Sequence, residues 1–302
     1  MTGRILVVGD VVTDILAVQS GPTAVDSDTP ATIRGAGGGS GANTAAWLAW
    51  SGATVDLLAM TGADAAGSAL VSELVAAGVG CAAVVRTTEA PTGTVIVLVH
   101  GQDRTMFCDR GANLHLRPSH VDAALALLPD TRHLHLSGYT LLDEASRAAG
   151  RHALALAARL GLSSSVDASS AAPLRRVGAA AFLDWVRGVD LLLANADEAE
   201  VLTGLSSVDA ARHLARTVGA AVVKLGPAGA VWARGDEVVE VPAAPAEVVD
   251  TTGAGDAFAA GLLAAHLAGH DAPAALTQAV RLGARAVGQV GGRPPLPAEP
   301  RA

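Results

Sequence analysis

Aromatic side chains make up only 3% of the 302 residues, and cysteine occurs twice, at Cys81 and Cys108. Two cysteines make no disulfide framework, and neither lies in a CxxC or Cys/His spacing that would hold zinc. Both are expected as buried thiols in a reducing compartment. Lysine is scarcer still: Lys224 is the only one, against twenty arginines. It follows Val223 and precedes Leu225, so the chain has no GxxxxGK[ST] phosphate loop. Charged residues are 17% of the chain, the net charge is −8, and no Lys/Arg block occurs. That balance speaks against nucleic acid or an anionic membrane as partner. No uncharged apolar run approaches a membrane-spanning length, and "MTGRILVVGDVV" is too short for a signal peptide, so it reads as a first buried strand. A cytoplasmic protein is expected.

What is plentiful is small and apolar. Half of the residues are hydrophobic, many of them alanine, which predicts a globular chain with an Ala/Val/Leu core. The length suits one large α/β domain over residues 1–302. Strand-like runs ("RILVVGD", "TVDLLAMTG", "RHLHLSG", "SSSVDAS", "DLLLANADE", "AAVVKLG") alternate with helical stretches, among them 41–52, 64–78, 143–161 and about 255–268 and 271–290. Strands separated by helices of this length imply crossover connections and a doubly wound, mostly parallel sheet flanked by helices. Two segments break the alternation, at about 12–36 and 93–111. The second reads as a hairpin around Gly101-Gln102-Asp103. Together they predict a small β-sheet lid that covers a site and excludes water. The Pro-rich tail "GGRPPLPAEPRA" is expected to lie on the surface or fray.

Two glycine clusters carry chemistry. "GGGSGA" (37–42) formally matches a dinucleotide fingerprint, but it comes some thirty residues after the first strand, whereas that fingerprint follows its strand directly. Backbone amides among these glycines can approach a small polyol closely, and Asn43 is either a ligand contact or a helix N-cap. Asp14, just past the first strand, is either a solvated loop acid or a carboxylate that accepts two sugar hydroxyls. "DTTGAGDAFAAGLL" begins a strongly apolar helix. Gly253, Ala254 and Gly255 leave its first amides uncovered, an anion site that needs no lysine. Asp256 falls in the first turn, where an acid is favourable in any case.

The two clusters together resemble the ribokinase, or PfkB, family of carbohydrate kinases. "GGSGANTAAWLAWSGATVDLLAMTG" and "DTTGAGDAFAAGLL" match its two signatures near opposite ends of the chain, "NADE" (195–198) is similar to its NxxE motif, and "KLGPAGAVW" to its nucleotide-side strand–loop–strand. The resemblance implies a ribokinase-like fold and ATP-dependent phosphorylation of a sugar hydroxyl. It implies Asp256 as the base and the amides of Gly253, Ala254, Gly255 and Asp256 as the anion hole. Asp14, Gly38, Gly39 and Asn43 would hold the sugar. Asn195 and Glu198 would organise Mg²⁺ through water, Lys224, Gly226 and Gly229 would line the nucleotide pocket, and Asp250 with Thr252 would form a potassium site.

The sequence departs from the ribose-specific pattern. Val12 stands where ribokinases carry Asn, and Ser137 and Gly138 stand where they place an acid. A larger hexose, a keto-sugar acid or a nucleoside thus enters as acceptor. Arg104 and Arg110 lie in the predicted hairpin, where one could pair with a substrate carboxylate or simply face solvent or a second copy. A nucleoside kinase and a catalytically silent sugar-binding regulator are the competing readings, the second weakened by the intact Asp256. Exposed lid edges predict a homodimer through the lid.

Overall fold

The computed structural model describes residues 3–100 and 103–296. The strands in chain order are β1 (Arg4–Val8), β2 (Val12–Gln19), β3 (Ala31–Gly38), β4 (Val55–Leu58), β5 (Met60–Gly62), β6 (Val85–Thr87), β7 (Gly93–His100), β8 (Asp103–Asp109), β9 (Thr131–Ser137), β10 (Ser163–Asp167), β11 (Leu191–Asn195), β12 (Ala220–Lys224), β13 (Ala230–Arg234) and β14 (Glu237–Val241). Eight of them form one sheet in the order β14-β13-β12-β11-β10-β9-β1-β4. It is parallel from β4 to β12 and antiparallel at β13 and β14. The mostly parallel, helix-flanked α/β class expected from the alternation is the class observed.

The central strands are buried on both faces, which is why they read as continuous apolar runs rather than as alternating ones. Leu6, Val8, Leu134, Leu136 and Leu192 point into one core layer. Ile5, Val7, Leu191, Leu193 and Val222 point into the other, against the helices Ser40–Trp50, Ala254–Leu267 and Ala272–Val287. Alanine lets these helices approach closely; a Cβ at Gly261 would press on Gln278, Ala279 and Leu282 at 3.0–3.1 Å.

A second sheet, β3-β2-β7-β8, stands beside the first. Its inner side joins the site described below, and its outer side exposes Ile33, Ile96 and Phe107. Residues 101 and 102, at the turn of the hairpin, lie outside the described residues, as does the side chain of Arg104.

Four expectations are corrected. "TVDLLAMTG" is two strands, because the chain leaves the main sheet after β4 and β5 pairs with β6 instead. "DLLLANADE" stops as a strand at Asn195, where Asn195 and Glu198 close a capping box that starts the helix Ala196–Thr203. Neither cysteine is fully buried: Cys81 is half-buried, and Cys108 is exposed, since β8 belongs to the smaller sheet rather than to the core. Through its described part the tail is on the surface only from Pro295: before that, Gly292 is buried, and its carbonyl accepts the indole N–H of buried Trp47 at 2.9 Å.

Candidate active site

The C-terminal edge of a parallel sheet collects side chains that strands alone can place. Here Asp10 follows β1, while Asp167, Asn195 and Lys224 end β10, β11 and β12. Asn195 and Lys224 are direct register partners. Two helices aim their N-termini at the same edge, Ser40–Trp50 and Ala254–Leu267. Each starts from a glycine at positive φ, Gly39 at 97° and Gly253 at 72°. A side chain at Gly39 would collide with the Asp10 backbone, and one at Gly253 with the Gly292 backbone. No side chain caps either helix. The resulting cleft has a volume of about 910 Å³ and runs from the lid, past Asp256, to the loop around Gly226 and Gly229.

Asp256 occupies the middle of this cleft. One carboxylate oxygen accepts the Ser40 hydroxyl at 2.8 Å and the other accepts the Asn43 amide at 3.0 Å. Burial pushes its pKa up to about 7, against the two hydrogen bonds, which favour the ionised form. Asn43 is therefore not the N-cap of its helix. It lies inside the first turn after Gly39, with its Nδ2 committed to Asp256.

On the lid side, Asp14 sits within β2 rather than in a loop. The missing side chain of Gly38 makes room for its carboxylate. Burial first, then the neighbouring Asp10, raises Asp14 to about 6. Val12, Val95, Val97 and Met106 form an apolar lid wall. Arg110 is anchored inward: it pairs with Asp10 at 2.8 Å, approaches Asp143 at 3.5 Å, and lies 3.6 Å above the Tyr139 ring centre. On the far side, Lys224 donates to Asp167 at 2.6 Å. Glu198 is buried and both its oxygens are used by Asn195, at 2.8 and 2.7 Å. Burial raises Glu198 to about 7, with Lys224 opposing and Asp167 reinforcing the shift. Among the described residues no group of three His, Cys, Asp or Glu stands ready to hold a metal. Asp250 binds the Thr252 amide and hydroxyl with one oxygen, at 3.0 and 2.8 Å, and the Gly291 amide with the other, at 3.0 Å.

Most of the predicted residues line this one cleft, while Gly38 and Asp250 lie outside its lining. Sequence reasoning missed Ser40, Asp167, Asp10, Tyr139 and Arg293. Asp167 ends a strand, and the strand-end rule that singled out Asp14 would have found it. Arg293 carried no signal; its side chain reaches the Gly38 carbonyl at 3.2 Å and Glu73 at 3.1 Å from the tail.

The chain matches the profile of the pfkB family carbohydrate kinase over residues 2–299. It belongs to the PfkB family. A 2-dehydro-3-deoxygluconokinase of Thermoproteus tenax is 32% identical to this PfkB chain, covering 86% of it and 82% of the relative. A ribokinase of Bacillus subtilis (strain 168) is 26% identical over 97% of this chain and 96% of its own. Among solved structures, that of an adenosine kinase from Sinorhizobium meliloti superposes with a TM-score of 0.83, at 28% identity, covering 97% of this chain and 96% of the other. This PfkB protein is an ATP-dependent carbohydrate kinase. The acceptors named for these relatives differ from one another, so the acceptor has to be argued from the cleft.

Proposed function

We propose that this PfkB enzyme transfers the γ-phosphoryl group of ATP to a hydroxymethyl group of an uncharged sugar, with Asp256 as the base. The observation that carries the reading is the placement of Asp256: a partly accessible carboxylate in the first turn of an uncapped helix, midway between the lid and the Gly226–Gly229 loop. The acceptor hydroxyl, held by Asp14, Gly38, Gly39 and Asn43, gives its proton to Asp256 as its oxygen bonds to phosphorus. The bond from phosphorus to the bridging oxygen breaks, and ADP leaves. The amides of Gly253, Ala254, Gly255 and Asp256 face the charge on the transferring group. An alcohol is far too weak an acid to be pre-ionised by a carboxylate, but phosphoryl transfer asks chiefly for positioning and charge neutralisation.

Lys224, Gly226 and Gly229 line the nucleotide end. Mg²⁺ accompanies ATP there, and the oxygen-rich set of Asn195, Glu198 and Asp167 suits a hard cation. Because Glu198 is locked in its capping box, these residues would hold the metal through water. Asp250 and Thr252 tie the anion-hole loop to the tail, and a potassium ion at that junction would tighten the same loop.

The acceptor end favours a neutral ligand. Among the described residues it presents Asp10 and Asp14, while the charge of Arg110 is spent on Asp10 and Asp143 and that of Arg293 on Glu73. A substrate carboxylate would have to compete with Asp10 for Arg110. The second reading, a nucleoside, draws support from the apolar wall of Val95, Val97 and Met106, which would suit the face of a base. The exposed Ile33, Ile96 and Phe107 on the outer lid face support a homodimer through the lid, read out as twice the monomer mass in light scattering.

A coupled ADP-release screen over pentoses, hexoses, 2-keto-3-deoxy acids and nucleosides tests the assignment. Turnover of a neutral acceptor with Mg²⁺ and K⁺ is expected. Preference for an acid would refute the neutral-acceptor reading, and no turnover anywhere would favour the silent regulator.

A further inference from the structure

A chain with twenty arginines and a single lysine has put that lysine in the lining of its cleft. An arginine makes the stronger bidentate partner for a carboxylate; a lysine offers a compact charge with three rotatable donors. As a mere counter-ion for Asp167, Lys224 would be the weaker choice. Its surroundings point elsewhere. The ammonium lies beside Gly255, 3.4 Å from where a side chain at that residue would begin, so it borders the anion hole. Three carboxylates, those of Asp167, Glu198 and Asp256, act on it electrostatically.

We infer that Lys224 is a catalytic residue: its ammonium leaves the resting pair with Asp167 to hold the γ-phosphoryl oxygens during transfer. The proposal rests on the kinase reading above. The proton balance is unchanged: the hydroxyl proton passes to Asp256, Lys224 keeps all three of its own, and ADP departs as the anion. The ammonium supplies positive charge where a phosphate-loop lysine would in other nucleotide folds, reached here from a strand end. Gly255 is then required because its bare backbone leaves the ammonium access to the anion hole.

Lys224→Met alone strands the Asp167 carboxylate, so the test uses the double variant Asp167→Asn/Lys224→Met, which removes both charges. A folded protein is expected whose kcat is down by about a hundredfold or more. Calorimetry is expected to show that the wild-type preference for a non-hydrolysable ATP analogue over ADP, about tenfold or more, is lost. Recovery of kcat to near wild type in the double variant, or an intact preference for the ATP analogue, would overturn the proposal and leave a structural ion pair. Should the double variant not fold, Lys224→Arg keeps the charge and the pair; a kcat down by about tenfold at an unchanged melting temperature is expected, and wild-type kcat refutes the role. If no acceptor is phosphorylated at all, the kinase reading fails, while the analogue-against-ADP comparison still decides Lys224.

Discussion

The Asn43 amide donates to the Asp256 carboxylate across 3.0 Å, and so joins two glycine-started helices that lie 213 residues apart in the chain. Each signature helix thus supplies part of one device. The acid comes from one and the group that steadies its ionised form from the other.

Removing the carboxylate charge is the most direct test. Asp256→Asn is expected to lower kcat by roughly 10²–10⁴ while leaving acceptor binding in place. The same variant reports on stability. The folded pKa of Asp256 lies near 7, above the ordinary 3.8. Its ionised form therefore weighs against the fold above pH 7, and that burden fades as pH falls through 7. Asp256→Asn should melt higher than wild type at pH 8, by a smaller margin at pH 5, and by none below the ordinary carboxyl pKa of 3.8. A variant that melts lower at pH 8 would contradict the burial argument.

The rate should carry the same signature. A base near 7 gives kcat/KM an acid limb that falls below neutral pH. The Asn43 hydrogen bond lowers the Asp256 pKa, so Asn43→Ala should move the limb to higher pH. A limb that stays in place would mean that Asn43 acts on the substrate alone.

The interior of the main sheet predicts an acid response of the opposite sign to that of Asp256. His133 and His135 are buried, and bond to Ser163 and Ser165 at 2.7–2.8 Å. Burial holds His133 at about 3 and His135 at about 4. Between pH 6.5 and 4 the unfolded chain takes up protons that the folded one refuses, so these two groups withdraw stability as pH falls, by about 1.4 kcal/mol per pH unit each. Asp14, Glu198 and Asp256, all raised, act the other way over the same window. Three raised carboxyls outweigh two depressed imidazoles here, so wild-type stability should rise modestly from pH 7 to 5, and His133→Asn should gain stability relative to wild type on acidification. Urea midpoints at both pH values decide this; a His133→Asn variant that changes in parallel with wild type would refute it.

Two left-handed glycines separate backbone strain from collision. At Gly161, with φ of 68°, open space surrounds the position, so Gly161→Ala should cost only about 1–2 kcal/mol. At Gly253, with φ of 72°, the new methyl would strike the Gly292 backbone as well. Gly253→Ala should cost more than that and reduce kcat, because the tail loop and the anion hole must part. Equal melting temperatures for the two variants would argue against the contact.

Much of this was legible from local signals. Alternating strands and helices announced a doubly wound sheet, because crossover connections leave few other arrangements. The glycine clusters announced helix N-termini free to meet a ligand. The strand at Asn195 ended early for a reason also written locally, the reciprocal spacing of Asn195 and Glu198. What was not legible depends on contacts across long stretches of chain. The burial of Gly292, the anchoring of Arg110 by Asp10, and the separation of Cys108 from the core all follow from which element lies beside which.

The sequence by itself determined the class of fold, the family and the residues that carry charge to the site, because periodicity, glycine spacing and strand-end positions act over a few residues. The tertiary structure alone decided what each of those charges does. Asp256 owes its raised pKa to burial between two helices, Arg110 its commitment to the neighbouring Asp10, and Lys224 its place beside Gly255 to where its long side chain reaches from the end of β12. Desolvation and pairing depend on distance in space, and a linear chain does not state which distances will close.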